Sequence, residues 1–388
     1  MIYLDNGATT FPKPQVVVDA VNNSLKNYSA NPGRSGHKLA LKASSEIYSC
    51  RKSVAELFNI KAEENVVFTL NCTMALNTVI KGMLKSGDHV VVSCMEHNSV
   101  MRPLQKLSKM GVTYTCATVY PYDNDRTVDS FRKSLRPNTA LVICIHCSNV
   151  FGFKLPVSRI TALCHQYNIP VCIDLAQSAG VVPIDTQFIG ADFYAIAGHK
   201  GLYAPLGTGI LLINTDGRFP ESLMEGGTGS NSLELEQPTA MPDLYESGTP
   251  NLNGISGLKS GVNFVKNKGI DNIYNHEMAL ITSFYDMIKD TKNVVLYTER
   301  PCKEFFAPIL SFNIKDISSE EIATILNQKY NIAVRAGLHC SPFAHDFMGT
   351  KDIGTVRVCP SIFTTKRDMV YTANAIQEIS YKISKRQF

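Results

Sequence analysis

Short apolar runs punctuate the first half of the chain. Val66-Val-Phe-Thr69, His89-Val-Val-Val-Ser93, Val112-Thr-Tyr-Thr-Cys116, Ala140-Leu-Val-Ile-Cys-Ile145, Pro170-Val-Cys-Ile-Asp174, Phe193-Tyr-Ala-Ile196 and Gly209-Ile-Leu-Leu-Ile213 each read as a strand. Between several of them, apolar residues recur at helical spacing, over Ser99–Met110, Val128–Leu135 and Val157–Tyr167. Continuous apolar strands alternating with helices predict a largely parallel sheet covered on both faces, hence a layered α/β fold. Beyond about residue 250 the texture changes. Gly254–Lys268 and Ile270–Lys289 read as helices, Asn293–Tyr297 and Ile309–Asn313 as strands, Ser319–Tyr330 and Lys366–Ile383 as helices. That α+β pattern predicts a second, smaller domain. The stretch from Gly226 to Pro250 is polar, rich in Gly and Pro, and without period, as long functional loops are.

Composition narrows the class. In 388 residues, 44% are hydrophobic and 19% charged, which is globular rather than disordered. The net charge of +4 without long basic runs argues against nucleic acid as a partner. No run approaches the ~18 apolar residues of a membrane span, and the start of the chain lacks the basic and apolar regions of a signal peptide. The eleven cysteines are an odd number and do not form a disulfide framework. The expectation is a soluble cytoplasmic protein with reduced thiols and no membrane partner. Cys144 and Cys147 form a C-x-x-C, but within a strand-like run and with no second ligand pair nearby, so no metal site is expected.

Ligands of an open parallel sheet sit beyond the carboxyl ends of its strands. There the chain delivers His97 after one strand, Asn149 after another, Asp174 and Gln177 after a third, and His199 with Lys200 after a fourth. Asn71-Cys-Thr73 opens a helix after Val66–Thr69, and such a helix start favours a phosphate. Taken singly these residues are unremarkable. Asp174 alone reads as a helix cap, Lys200 as a solvated lysine, and His97 as a hydrogen-bonded loop histidine. Together they supply an amine for an aldehyde, a carboxylate for a pyridine nitrogen and an anchor for a phosphate. Those are the needs of pyridoxal phosphate.

The motifs carry a resemblance. Tyr3-Leu-Asp-Asn-Gly-Ala-Thr-Thr10, Asn31-Pro-Gly-Arg-Ser-Gly-His37, Glu96-His-Asn-Ser99, Ser148-Asn-Val-Phe-Gly152, Asp174-Leu-Ala-Gln-Ser178, Gly198-His-Lys200, Glu246-Ser-Gly-Thr-Pro-Asn251 and Arg335-Ala-Gly-Leu-His-Cys340 span essentially the whole chain. They resemble class V aminotransferase-fold enzymes of the cysteine desulfurase and selenocysteine lyase group, closest to its group II, SUF-type branch. The resemblance implies a fold-type I pyridoxal phosphate-dependent transferase. Residues 14–253 would form a large domain with a mostly parallel seven-stranded sheet. Residues 1–13 and 254–388 would form a smaller α+β domain carrying the cysteine loop.

The resemblance also implies roles. Lys200 would hold the cofactor and move protons, with His97 stacked on its ring. Asp174 would pair with the ring nitrogen and Gln177 with the phenolic oxygen. Thr73, Cys72 and His199 would lie at the phosphate, joined by Thr249 from a second subunit of a homodimer. Asn149, Arg357 and Arg34 would hold the substrate carboxylate. Cys340 would take sulfur from L-cysteine, leaving L-alanine and a persulfide for a protein acceptor. A thiol attacks as its thiolate, and Arg335 and His339, close in sequence, are expected as its neighbouring cations. Selenocysteine as substrate, and a cofactor-binding regulator without this activity, are the alternatives. Several positions depart from the family pattern, among them Cys72, Ala197, Leu338 and a residue inserted after Lys200.

Overall fold

A computed structural model describes residues 1–33, 36–215, 217–230 and 233–385. The strands are β1 (Ile2–Tyr3), β2 (Val66–Thr69), β3 (His89–Ser93), β4 (Thr113–Ala117), β5 (Thr139–Ile145), β6 (Val171–Asp174), β7 (Phe193–Ala197), β8 (Gly209–Ile213), β9 (Val294–Leu296), β10 (Leu310–Ile314), β11 (Ile332–Ala333), β12 (Arg335–Gly337) and β13 (Thr355–Val358). The helices are α1 (Gln15–Asn27), α2 (Lys38–Phe58), α3 (Cys72–Met83), α4 (Asn98–Ser108), α5 (Asn124–Ser134), α6 (Val157–His165), α7 (Thr186–Ile189), α8 (Leu252–Lys268), α9 (Ile270–Ile288), α10 (Ser319–Tyr330), α11 (Pro342–Phe347) and α12 (Lys366–Ser384).

Seven strands form the central sheet in the order β2-β8-β7-β6-β5-β3-β4. Only β8 runs against the others. Alternate residues feed two separate cores. Val142, Cys144, Ile173 and Tyr194 pack on one face, and Leu141, Ile143, Cys172 and Phe193 on the other. Helices cover both faces, so these strands carry no polar side and read as continuous apolar runs. The register sets Ile145 opposite Asp174 and Asp174 opposite Ala195. The polar residues that follow β5, β6 and β7 therefore emerge side by side.

A second, antiparallel sheet has the order β12-β13-β10-β9. Leu310, Phe312, Val356 and Val358 share its core with Leu4 and with Ile376 of α12. The chain's first strand forms a separate two-stranded parallel sheet with β11, beside the same core. Helix α8 packs on α1 and α2, and its Leu252, Ile255 and Leu258 join the core of the large sheet. The smaller core begins midway along α9, at Leu280 and Ile281. Between Gly226 and Pro250 the described residues form neither helix nor strand. Among the described residues no helix is long and apolar enough to cross a membrane.

Candidate active site

A cavity of about 230 Å³ opens where the two sheets meet. The large sheet contributes Asp174, the last residue of β6, and Lys200, three residues past β7. The small sheet contributes Arg335 of β12 and Arg357 of β13, which lie opposite one another in the register. Cys340 follows β12 on the loop to α11.

Helix starts set the geometry. The Asn71 side chain accepts from the Met74 N–H at 2.9 Å and begins α3. Cys72 and Thr73 thus face the cavity from its first turn, where unpaired backbone N–H groups favour an anion. His97 caps α4. Its Nδ1 accepts from the Ser99 N–H at 3.1 Å and lies 2.8 Å from Ser99 Oγ, which places the proton of the neutral ring on Nε2. Burial, helped by the charges of Lys200, Arg335, Arg102 and Arg357, lowers the His97 imidazole to about 4. The ring is neutral at neutral pH.

Asp174 is buried. Its Oδ1 accepts from the Ala176 N–H at 2.8 Å and from the Cys72 thiol at 3.5 Å. Burial raises this carboxyl, opposed by the Ala176 N–H and the Lys200 charge. Burial also keeps Cys72 well above the usual thiol range, so its S–H persists as a donor. Lys200 is lowered by burial and partly restored by Asp174. Lowering a lysine below its ordinary range favours the free amine, the form an aldehyde requires.

The arginine and the cysteine loop are fixed together. Arg357, 1% exposed, donates from Nη1 to the Asn149 carbonyl at 2.8 Å and from Nη2 to Asp5 Oδ1 at 2.8 Å. Its Nε has no partner. The guanidinium lies flat against Gly7, where a Cβ would stand 2.9 Å from Cζ. Asn149 accepts from Ser341 Oγ at 2.6 Å and donates to the His339 carbonyl at 2.8 Å. The Asn98 N–H donates to the Cys340 carbonyl at 2.8 Å. These ties hold two consecutive residues, His339 and Cys340, in the left-handed region, at φ 51° and 57°. That conformation costs an L-residue about 1 kcal/mol or more and persists only where the surroundings impose it.

The expected residues fall into three groups. Lys200, Asp174, Gln177, His97, His199, Cys72, Thr73, Asn149, Arg357 and Cys340 all line the cavity. Gln177 donates to the Gly7 carbonyl at 3.0 Å, and the buried His199 Nδ1 has no partner. Thr249 lies elsewhere in the same chain, in a pocket with Phe68, Tyr245 and Ile255. It follows Glu246, which pairs with buried Arg51 and accepts from the Phe68 N–H at 2.6 Å. Arg34 lies outside the described residues.

One expectation is corrected. His339 is no cation beside Cys340. Only 4% of it is exposed, and burial, with Arg357, His345 and Arg335 nearby, holds its ring at about 2. The ring stacks on His345 with centroids 5.7 Å apart. Of the two expected cations, Arg335 approaches the thiol, Nη2 to Sγ 4.0 Å. Asp5 and Gly7 were not singled out as site residues. Their signal lay inside the opening Tyr3–Thr10 motif, but nothing local in that segment announces an arginine 352 residues away.

The donor set fits pyridoxal phosphate. A helix start and the unpartnered His199 Nδ1 suit the phosphate, Asp174 suits a protonated ring nitrogen, and Lys200 suits the aldehyde.

The comparisons agree with that chemistry. The family model for Aminotransferase class-V matches residues 2–371. A probable cysteine desulfurase of Methanothermobacter thermautotrophicus is 32% identical, covering 98% of this chain and 94% of its own. Another, from Halalkalibacterium halodurans, is 31% identical over 97% and 93%. The apo structure of the Thermococcus onnurineus cysteine desulfurase superposes with a TM-score of 0.90 at 29% identity, covering 98% of this chain and 94% of that one. An Escherichia coli cysteine desulfurase in its S-sulfonic acid form gives 0.87 at 25% identity, with coverage of 98% and 94%. The fold is that of the fold-type I pyridoxal phosphate enzymes, and the chain belongs to the class-V aminotransferase family.

Proposed function

We propose that this protein is a pyridoxal phosphate-dependent cysteine desulfurase that converts L-cysteine to L-alanine and forms a persulfide on Cys340. The observation that carries the reading is the convergence of Lys200, Asp174, His97 and Cys340 on one cavity. Relatives named cysteine desulfurase over nearly the full chain support it.

Lys200, Asp174, Gln177, His97, Cys72, Thr73 and His199 would hold the cofactor, with Thr249 reaching in from a second copy in a homodimer. When bound, pyridoxal phosphate supplies an electron sink for the substrate's α-carbon. Lys200 moves protons on and off that carbon, and the His97 Nε2–H orients groups on the opposite side of the cavity. The Arg357 Nε and the Asn149 region receive the substrate carboxylate, joined by Arg34. A guanidinium suits that group by charge and by shape. The Cys340 thiolate attacks the substrate sulfur. A sulfur–sulfur bond forms as the carbon–sulfur bond breaks, and the departing electron pair is protonated to give alanine. Exposure of Cys340 leaves the persulfide open to a protein thiol acceptor in a reducing cytoplasm.

The short loop after Arg335 supports a reading as a member of the SUF-type branch. Residues 1–13 and 254–388 would act as one body against 14–253, with α8 as the joint.

The test is direct. The purified protein is expected to be yellow and to release alanine and sulfide from L-cysteine with a reductant. Mass spectrometry is expected to find one added sulfur on Cys340. Absence of alanine above a Cys340→Ala control would sink the reading. L-selenocysteine as a parallel substrate separates a desulfurase from a lyase.

A further inference from the structure

Residues 9–13 turn their donors on the backbone that carries Lys200. Strand β7 ends at Ala197, and the chain then bends through Gly198 and His199 to Lys200 without entering a helix or strand. Carbonyls in such a turn have no ladder partner and need donors from elsewhere. The His199 carbonyl accepts from the Thr10 N–H at 3.2 Å, from Thr9 Oγ1 at 3.1 Å and from Lys13 Nζ at 2.8 Å. Lys13 Nζ also donates to Thr10 Oγ1 at 2.7 Å. The Thr10 hydroxyl is in turn placed to donate to the Lys200 carbonyl at 3.0 Å and to the His199 carbonyl at 3.2 Å. One ammonium therefore reaches the carbonyls on either side of the Lys200 α-carbon, one directly and one through Thr10.

Satisfying those carbonyls does not require a cation. A carbonyl oxygen has two lone pairs, and Thr9 Oγ1 and the Thr10 N–H fill those of His199. Lys13 is half-buried and, among the described residues, pairs with no carboxylate; its partners are the His199 carbonyl and the Thr10 hydroxyl. Holding a charge there costs solvation that no counter-ion returns. Burial lowers the ammonium to about 8, which leaves it largely charged at neutral pH. A charge-assisted hydrogen bond is shorter and stronger than a neutral one, so the ammonium adds a stiffer hold. The frame behind it is fixed. Tyr3 Oη donates to the Thr9 carbonyl at 3.0 Å, Asn6 Oδ1 accepts from the Phe11 N–H at 3.2 Å, and α1 begins just after Pro14. On the far side of the turn, the Tyr203 N–H donates to the Lys200 carbonyl at 2.8 Å and the Ala204 N–H to the Gly198 carbonyl at 3.0 Å.

We propose that Lys13 is a positioning residue for the reaction: through the His199 carbonyl and the Thr10 hydroxyl it clamps the backbone on either side of Lys200 and fixes where the Lys200 amine enters the cavity. Lys13 is not among the residues that line that cavity, so it acts through Lys200 and is not a reacting group. A lysine side chain is long and flexible, and its reach depends on where its α-carbon is held. Misplacing a reacting group by about 1 Å can cost on the order of 100-fold in rate.

This inference rests on Lys200 being the lysine that takes pyridoxal phosphate, and the test keeps the two apart. Lys13→Met keeps the length of the side chain and removes its charge and donors. Thr10→Val keeps the shape and removes the hydroxyl. Both are made in the full-length protein, singly and together, and compared with the unaltered holoenzyme. In Lys13→Met the visible circular dichroism per bound cofactor is expected to change, and kcat for alanine production to fall about 10-fold with KM for L-cysteine within about 2-fold. A role confined to stability would lower the melting temperature and leave the dichroism and kcat of the folded enzyme alone. The double variant is expected to lose less than the product of the two single losses, because both residues act on one turn. With the cofactor removed, amide hydrogen exchange over residues 198–204 is expected to quicken about 10-fold in Lys13→Met. Unchanged dichroism or unchanged exchange in Lys13→Met, or independent losses in the double variant, would overturn the proposal; Thr10→Val answers the same questions should Lys13→Met not fold. Failure of the unaltered protein to take up pyridoxal phosphate would overturn the cofactor reading, and the exchange rates then decide the clamp alone.

Discussion

Lys200 and Cys340 reach the same cavity from opposite mechanical settings. Lys200 ends a turn fed by the centre of a seven-stranded sheet, with Asp174 beside it and its carbonyl held by Thr10 and Tyr203. Cys340 is exposed, sits in a left-handed conformation, and depends on three polar ties from Asn149 and Asn98. One group is tuned by burial and the other is delivered by a loop. The contrast suits a reaction in which carbon chemistry needs a dry, fixed lysine while sulfur must be handed out to solvent-borne partners.

Lys200→Ala would break the buried side most completely. It is expected to lose the visible cofactor band and at least about 10⁴-fold in alanine production, read by absorbance and amino-acid analysis. Cys340→Ser tests the loop side alone. Alanine production is expected to fall at least about 10²-fold while the cofactor band stays at the unaltered intensity. Loss of the band there would mean that the two regions are not separable. Asn149→Ala removes two of the loop's ties. It is expected to cost roughly 2 kcal/mol of stability by thermal denaturation, from the stranded His339 carbonyl and Ser341 hydroxyl, and to lower activity with the cofactor band intact. Gly7→Ala displaces the Arg357 guanidinium. KM for L-cysteine is expected to rise about 10-fold with a smaller change in kcat.

A further effect, on stability rather than on the site, is pH dependence. Burial lowers His97, His146 and His339 to about 4, about 3 and about 2. In the unfolded chain they take up protons near 6.5, while the folded protein keeps them neutral. Stability is therefore expected to hold above pH 7 and to fall as pH drops below 6.5. Each group contributes up to about 1.4 kcal/mol per pH unit until its folded value is reached. Denaturant unfolding at pH 7.5, 6 and 5 reads the slope, and His146→Leu is expected to flatten it.

The large sheet was legible because most of its strands are buried on both faces. Val66–Thr69, His89–Ser93 and Gly209–Ile213 match at both ends. Helices α1 and α2 were not anticipated. The buried face of α2 mixes Ile47, Val54 and Phe58 with small residues (Ala40, Ala43, Cys50 and Ala55) and the charged Arg51, which blurs the apolar stripe. Strands β11, β12 and β13 were also missed. They are two to four residues long, and Arg335-Ala-Gly337 reads as a turn until β13 pairs with it. At the site, strand-end positions announced the groups of the large sheet. The neutral state of His339 was not visible, because sequence proximity to Cys340 says nothing about burial. Nor was the use of the Asn149 amide, at the cavity wall, to hold the cysteine loop.

The Asp5–Arg357 pair has a consequence for how the molecule is made. Its partners are 352 residues apart, and β1 likewise waits for β11. A ribosome must release Arg357 before its site with Asp5 can close, whereas every strand of the large sheet is available by residue 213. The N-terminus is thus the last piece to dock. Deleting the first five residues is expected to leave a folded large sheet with an orphaned arginine, and an affinity tag placed before Met1 starts within a few residues of the Asp5–Arg357 pair.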